Sequence, residues 1–349
     1  MQTEINTQIY EHGGDIYRND VRLDFSVNTN PLGMPDGAYT ALRENLGVCE
    51  KYPDPHCEAL RRQIAQFEGI AQKDILCGNG AADLIYRIVF SIKPKKALVC
   101  APTFSEYERA VVISGGRVEY HDLREEDGFV LTERIIDDIT DGIEIVFLCN
   151  PNNPTGKLAD AGLLKAAAEK CSMQNTLLVL DECFLPFTCG ESLKDFPNIV
   201  VLKAFTKIYS MAGLRLGYLL CGDSGIIASV REHAQGWSVS APAQIAGIAA
   251  LKEHDWIART LELINTERDY LTSRLREIGL CVFDSDANFI LLRSEKPLYE
   301  PMLKRGILVR SCANFRGLGE NYTRIAVKLR EENEAFIEEI ESTIAQREG

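Results

Sequence analysis

The stretch from Glu144 to Gly156, EIVFLCNPNNPTG, sets a short apolar and β-branched run directly against seven turn-forming residues. A run of that length, stopped by such a turn, reads as a buried strand, Glu144–Cys149. Outward from it the pattern repeats. Lys96–Ala101 and Arg117–Leu123 precede it as strands, and Thr176–Leu180, Ile199–Leu202 and Leu216–Cys221 follow it. Between them Ala82–Ile92, Ser105–Ser114 and Ala161–Met173 carry apolar residues three and four apart, the spacing of helices with one buried face. Strands and helices alternating from about residue 75 to 222 imply an α/β fold of three layers, a mostly parallel central sheet covered by helices.

Beyond residue 235 the character changes. Ala241–Leu251 and Trp256–Ile278 read as helices. Cys281–Phe283, Phe289–Arg293, Ile307–Arg310 and Thr323–Val327 read as short strands, and an acidic helix runs from Glu331. This is a smaller α+β domain. The expected division is an N-terminal arm (1–45) contributing to the small domain, a large domain (46–235) and a small C-terminal domain (236–349). Composition narrows the function classes. The 349 residues hold 38 Lys and Arg against 51 Asp and Glu, a net charge of −13, with 46% hydrophobic residues. Such a chain folds, and its charge repels phosphate backbones and acidic lipid, so neither nucleic acid nor a membrane is an expected partner. No stretch reaches the roughly 18 apolar residues of a membrane span, and MQTEINTQIY lacks the basic and apolar regions of a signal peptide, so the expected location is the cytoplasm. The eleven cysteines form no C-x-x-C pair and have no His at ligand spacing, so they read as reduced thiols rather than disulfides or a metal site.

Ligands of parallel sheets bind at the carboxyl ends of the strands, and three ends carry polar groups. Asn150–Gly156 is either a plain turn or a turn that presents the Asn153 amide. Asp181 and Glu182 close the next strand, where an acid is either a strand-end turn residue or a carboxylate paired with a cationic ring nitrogen, since a buried charge needs a partner. Ala204-Phe205-Thr206-Lys207 closes the third. A lysine there can form an imine with an aldehyde cofactor, and Arg215, eight residues on, can clamp a phosphate through both guanidinium nitrogens. Gly78-Asn79-Gly80-Ala81-Ala82-Asp83 fails as a dinucleotide fingerprint, because Asp83 stands where a third glycine belongs. As a glycine turn opening a helix, it still offers amide donors to one phosphate.

With Asn153-Pro154-Thr155-Gly156, Asp181-Glu182, Thr206-Lys207 and Gly213-Leu214-Arg215-Leu216-Gly217-Tyr218 in this order, nearly the whole chain resembles the fold-type I enzymes of the class I/II aminotransferase family. The resemblance implies pyridoxal 5′-phosphate as cofactor and Lys207 and Asp181 as catalytic residues, Lys207 carrying the cofactor as an imine and Asp181 pairing with its ring nitrogen. Asn153 would bond the ring hydroxyl and Phe104 stack on the ring. Gly80, Ala81, Thr206 and Arg215 would hold the phosphate, joined by Tyr52 from a partner subunit, which implies a homodimer with shared sites.

Within the family, the branch resembled is that of the L-threonine O-3-phosphate decarboxylases of cobalamin biosynthesis, followed by the histidinol-phosphate aminotransferases. His12-Gly13-Gly14, Asn28, Asn30-Pro31-Leu32-Gly33, Phe184 and Arg310-Ser311-Cys312-Ala313-Asn314 carry that preference. It implies a phosphorylated amino-acid substrate. Arg324 would take the carboxylate, Arg310 and His12 the distal phosphate, and Asn28 would approach from the arm. The expected reaction is decarboxylation to an aminopropanol phosphate. The alternatives are transamination with 2-oxoglutarate and a catalytically silent binding protein on the same fold. Three residues depart from the family pattern. Ala204 and Ala82 lack hydroxyls that grip the phosphate in relatives, and Phe184 replaces a usual Tyr.

Overall fold

The computed structural model describes residues 12–348. After a short strand β1 (Leu23–Asp24), seven strands build the central sheet: β2 (Ile75–Gly78), β3 (Lys96–Ala101), β4 (Arg117–Asp122), β5 (Ile145–Cys149), β6 (Leu177–Asp181), β7 (Ile199–Ala204) and β8 (Gly217–Leu220). Five short ones follow: β9 (Cys281–Val282), β10 (Phe289–Arg293), β11 (Ile307–Leu308), β12 (Arg310–Ser311) and β13 (Tyr322–Ala326). The central order is β2-β8-β7-β6-β5-β3-β4. Only β8 runs against its neighbours, pairing antiparallel with both β2 and β7.

The central strands are apolar on both faces because helices cover both. Val146, Leu148, Leu178, Leu180 and Val201 face one core, which holds Leu164, Ala167 and Cys171 of the helix Ala161–Met173. Ile145, Phe147, Val179, Val200 and Leu202 face the other, with Leu84, Ile88, Tyr107 and Val111 of the helices Gly80–Ile92 and Glu106–Ile113. Two-sided burial is the reason these strands read as continuous apolar runs rather than alternating ones. The helix Ala161–Met173 starts where the Asp160 carboxylate accepts from the Leu163 amide, 2.8 Å away, satisfying one of the free N–H groups of its first turn.

Three elements differ from the sequence reading. The expected strand Ile307–Arg310 is two strands: Ile307–Leu308 pairs in parallel with β1, and Arg310–Ser311 pairs antiparallel with β13. The backbone changes sheets at Val309, a handover that side-chain pattern alone does not reveal. Ile75–Gly78 is a strand in its own right, hidden because it is short and runs straight into the glycine turn. The segment before residue 50 contains β1 and a helix, Asp36–Glu44. Phe25, just after β1, stacks on Phe336 of the last helix at 4.5 Å. The Ala241–Ala250 helix packs closely on its neighbours: a Cβ on its Gly247 would touch Leu216, Leu60 of the helix Glu58–Glu68 and Phe205.

Candidate active site

At the carboxyl ends of β5, β6 and β7 the sheet opens into a cavity of about 280 Å³. Its lining includes Asn153, Asp181, Thr206, Lys207, Arg215, Phe104, Ala81, Asn28, His12, Arg310 and Arg324. The structure thus brings together on one wall residues that lie up to 312 positions apart, from His12 to Arg324. Gly80 lies just behind it, below the Arg215 guanidinium. Tyr52 does not join them: it is 80% exposed and lies against Trp237, ring centres 4.7 Å apart.

The acidic residues of β6 separate by strand alternation. Asp181 turns into the cavity, where its Oδ2 accepts from the Tyr107 hydroxyl at 2.7 Å and its Oδ1 from the Cys183 amide at 2.9 Å. Burial, with Asp181 beside it, pushes Tyr107 well above its ordinary pKa, so the phenol stays neutral and keeps donating. Glu182 turns the other way, to Ser192 Oγ at 2.5 Å and the Leu193 amide at 3.0 Å. Behind it Lys203 bridges Glu182 (3.7 Å) and Glu68 (3.0 Å), and Tyr218 donates to Glu68 at 2.6 Å. Sequence reading passed over this buried ionic cluster, whose members are 135 residues apart in the case of Glu68 and Lys203.

Lys207 sits in the short helix Phe205–Ile208 that follows β7, and its Nζ lies 5.8 Å from the centre of the Phe184 ring. Burial, then Arg324, then Arg215 disfavour its charge and lower its pKa from 10.5 to about 8. About a tenth of such amines is uncharged at neutral pH, enough for Lys207 to act as a nucleophile and a proton carrier. The arm holds this turn in place: the Asn30 amide N–H donates to the Lys207 carbonyl at 3.0 Å, and Asn30 Nδ2 to the Ile208 carbonyl at 2.8 Å.

Asn153 accepts from Arg324 Nη1, whose Nη2 donates to the Ser26 carbonyl at 2.7 Å. Arg324 is 6% exposed, and its guanidinium carbon lies 5.5 Å from the Phe289 ring centre. Burial and then Arg310 disfavour its positive charge, a penalty that an anionic partner would relieve. Arg310 stands directly opposite on β12, held by the Ser311 carbonyl and Asn314 Oδ1, each at 2.7 Å, and packs on Phe315. His12 lies at the mouth, its ring 5.6 Å from that of Phe104.

Three observations fit pyridoxal 5′-phosphate, with an anionic substrate beside it, to this cavity. Arg324 Nε and Asn28 Oδ1 are buried without a hydrogen-bond partner, as atoms awaiting a ligand would be. At Gly80, with φ of +79°, an added Cβ would lie 2.7 Å from Arg215 Nη2, so only glycine lets the guanidinium lie against the start of its helix. That helix opens toward Ala81, Ala82, Thr206 and Arg215, a donor set suited to one phosphate. Ala204 and Ala82 also line the cavity, so the two missing hydroxyls are absent where a phosphate would need them.

Sequence reading missed Tyr107 and Glu106. Both fall in a helix whose apolar spacing marks it as core, and the one available signal is their place within three residues of Phe104.

Comparison with known proteins shows the family. Residues 21–340 match the family described as "Aminotransferase class I and II". The chain is 38% identical to the threonine-phosphate decarboxylase of Salmonella typhimurium, covering 93% of this chain and 94% of that protein. It is 30% identical to the histidinol-phosphate aminotransferase of Methanothermobacter thermautotrophicus, over 92% of this chain and 88% of that one. Among solved structures it is similar to the L-threonine-O-3-phosphate decarboxylase of Porphyromonas gingivalis, with a TM-score of 0.82 at 28% identity, covering 93% of this chain and 99% of that one. A match over this span, with Lys207, Asp181, Asn153 and Arg215 gathered at one cavity, makes the chain a member of the class I and II aminotransferase family, whose cofactor is pyridoxal 5′-phosphate.

Proposed function

We propose that the protein decarboxylates L-threonine O-3-phosphate, releasing carbon dioxide and leaving an aminopropanol phosphate. The observation that carries this reading is the placement of Arg310 and Arg324 opposite each other on β12 and β13, both facing the cavity that holds Lys207. Two guanidiniums on one wall suit a substrate with two anionic groups, a carboxylate and a phosphate. The names of the relatives at 38% and 37% identity support the same choice.

When bound, pyridoxal phosphate supplies an aldehyde for the substrate amine and a ring that accepts the electron pair left by a broken bond at the α-carbon. The protein does the positioning. Asp181, fixed by Tyr107 and the Cys183 amide, would keep the ring nitrogen protonated, and Phe104 would cover one ring face. The start of the helix Gly80–Ile92, Thr206 and Arg215 would take the cofactor phosphate, with Asn153 beside the ring oxygen. Arg324, tied to Asn153 and the Ser26 carbonyl, would hold the substrate carboxylate, and Arg310 and His12 the distal phosphate, with Asn28 closing from the arm. Lys207 Nζ, its pKa lowered to about 8, would then return a proton to the α-carbon once the carboxylate has left.

A homodimer working in the cytoplasm completes the proposal. Tyr52 is exposed and outside its own chain's cavity, as expected of a residue that serves a partner's site. All eleven cysteines are unpaired, and no described helix is long and apolar enough to cross a membrane.

The second reading, histidinol-phosphate transamination, is favoured by the relatives at 30% identity. Incubation of the holoenzyme with phosphothreonine, with and without 2-oxoglutarate, separates the two. The expected result is carbon dioxide without keto acid, and keto acid without carbon dioxide overturns the proposal. Neither product with any phosphorylated amine, and no visible absorption after adding cofactor, would instead support a silent protein.

A further inference from the structure

The mouth of the cavity holds a second cluster, built around a carboxylate. Glu106 opens the helix that follows Phe104 and is only 6% exposed. Its Oε1 lies 2.9 Å from His12 Nε2 and 3.5 Å from Arg109 Nη1, and its Oε2 accepts from the Tyr86 hydroxyl at 2.8 Å. Burial alone would raise its pKa, but the bonds from His12 and Tyr86, helped by Arg109, outweigh it and hold the carboxyl below its ordinary 4.5. Glu106 is therefore an anion at neutral pH, and an anion can only accept. The proton on His12 that faces it must sit on Nε2.

That leaves Nδ1 as the ring nitrogen with no partner among the described residues, on a side chain that lines the cavity. The backbone beside His12 is pinned as well. The Gly14 amide donates to Ser26 Oγ at 2.8 Å, and Ser26 Oγ donates to Asp24 Oδ1 at 2.6 Å. Ring and backbone are thus held from opposite sides, and the ring is held by Glu106.

We propose that Glu106 is a positioning residue that selects the phosphorylated substrate through His12, fixing Nε2 so that Nδ1 is presented to the substrate's distal phosphate. This rests on the reading of the substrate given above. Tyr86 and Arg109 hold the carboxylate in turn, so the arrangement runs from the large domain's helices to the arm. A carboxylate this near a phosphate site would repel the ligand if it faced it directly. Interposed behind the imidazole, it is kept off the ligand and holds the ring by Nε2, so that Nδ1 and a phosphate oxygen can share one proton between them.

The test is a cycle of variants of the holoenzyme, Glu106→Gln, His12→Ala and the double variant, assayed with phosphothreonine and with unphosphorylated L-threonine. Glu106→Gln is expected to raise KM for phosphothreonine about tenfold, with kcat and the weak use of threonine little changed, the cost of one charge-assisted contact. The double variant is expected to be no worse than His12→Ala, because Glu106 acts through that ring. Tyr86→Phe, which removes one donor from the carboxylate, should shift KM the same way by less, and it keeps the test open if Glu106→Gln misfolds. Additive losses in the double variant, or unchanged discrimination in Glu106→Gln beside a defective His12→Ala, would overturn the proposal while leaving the substrate reading intact. A wild-type enzyme that does not prefer the phosphorylated substrate would overturn both.

Discussion

On the proposed reading most of the site's chemistry turns on Lys207, and its environment makes a measurable claim. With its amine shifted from 10.5 to about 8, first by burial and then by Arg324 and Arg215, the reactive uncharged form is lost as pH falls below about 8. Capture of pyridoxal phosphate by the cofactor-free protein, followed by visible absorption, is therefore expected to accelerate with pH through a midpoint of about 8. A midpoint near 10 would mean the amine is solvated. Ala204 offers the converse experiment, because a side chain at the cavity wall there carries no hydroxyl. Ala204→Ser is expected to tighten cofactor binding about three- to tenfold, the worth of one hydrogen bond; an unchanged dissociation constant would show that the phosphate does not approach that wall. Lys207, Asp181, Asn153 and Arg215 were legible in the sequence because each closes or follows an apolar strand, where a polar residue stands out. Tyr107 and Glu106 were not, because an aromatic and an acid in an amphipathic helix look like one buried and one solvated position.

At the scale of elements, the turn between β2 and its helix depends on β8 beside it. A Cβ on Gly217 would lie 2.6 Å from the Ala81 amide nitrogen and 2.8 Å from the Gly80 carbonyl carbon, both backbone atoms that cannot swing aside. Gly217→Ala should cost about 1–3 kcal/mol in denaturant unfolding and weaken cofactor binding with it; loss of stability with normal binding would place the strain elsewhere. The cluster behind β6 and β7 makes a larger prediction. Burial would raise the Glu68 carboxyl, but Lys203, Tyr218 and Lys194 outweigh it and hold it below 4.5. A carboxyl lowered on folding contributes stability in full above its unfolded value, and that contribution is lost as pH falls through the folded one. Lys203→Met would leave Glu182, whose carboxyl burial already pushes up, without its lysine, and Glu68 held by Lys194 and Tyr218 alone among the described residues. The expected loss is about 3–5 kcal/mol at neutral pH, with acid unfolding moved to higher pH. Most strands were legible because burial on both faces gives unbroken apolar runs. The split at Val309 was not, since pairing partners, and not side-chain character, decide where one strand ends and the next begins.

For the whole molecule, the shared-site proposal predicts complementation. Lys207→Ala and Tyr52→Ala are each expected to be nearly inactive, while their coexpression should recover about a quarter of wild-type activity, since half the dimers are mixed and each has one intact site. No recovery would confine Tyr52 to its own chain. The C-terminal strands meet the central sheet through exposed ion pairs, Arg316 to Asp122 at 2.9 Å and Arg293 to Glu125 at 2.6 Å, and also through buried contacts, Phe184 on Phe289 with ring centres 4.9 Å apart and Arg324 on Asn153.

The register of β12 and β13 has one more effect. Arg310 and Arg324 are directly opposed in an antiparallel ladder, which fixes their Cα atoms about 5 Å apart and points both side chains to the same side. Hydrogen bonds of the backbone, rather than flexible loops, thus set the spacing from which the two guanidiniums reach out, and on the proposed reading the pair works as a ruler. A phosphorylated amino acid whose carboxylate and phosphate are separated by an extra carbon would satisfy one arginine at the expense of the other.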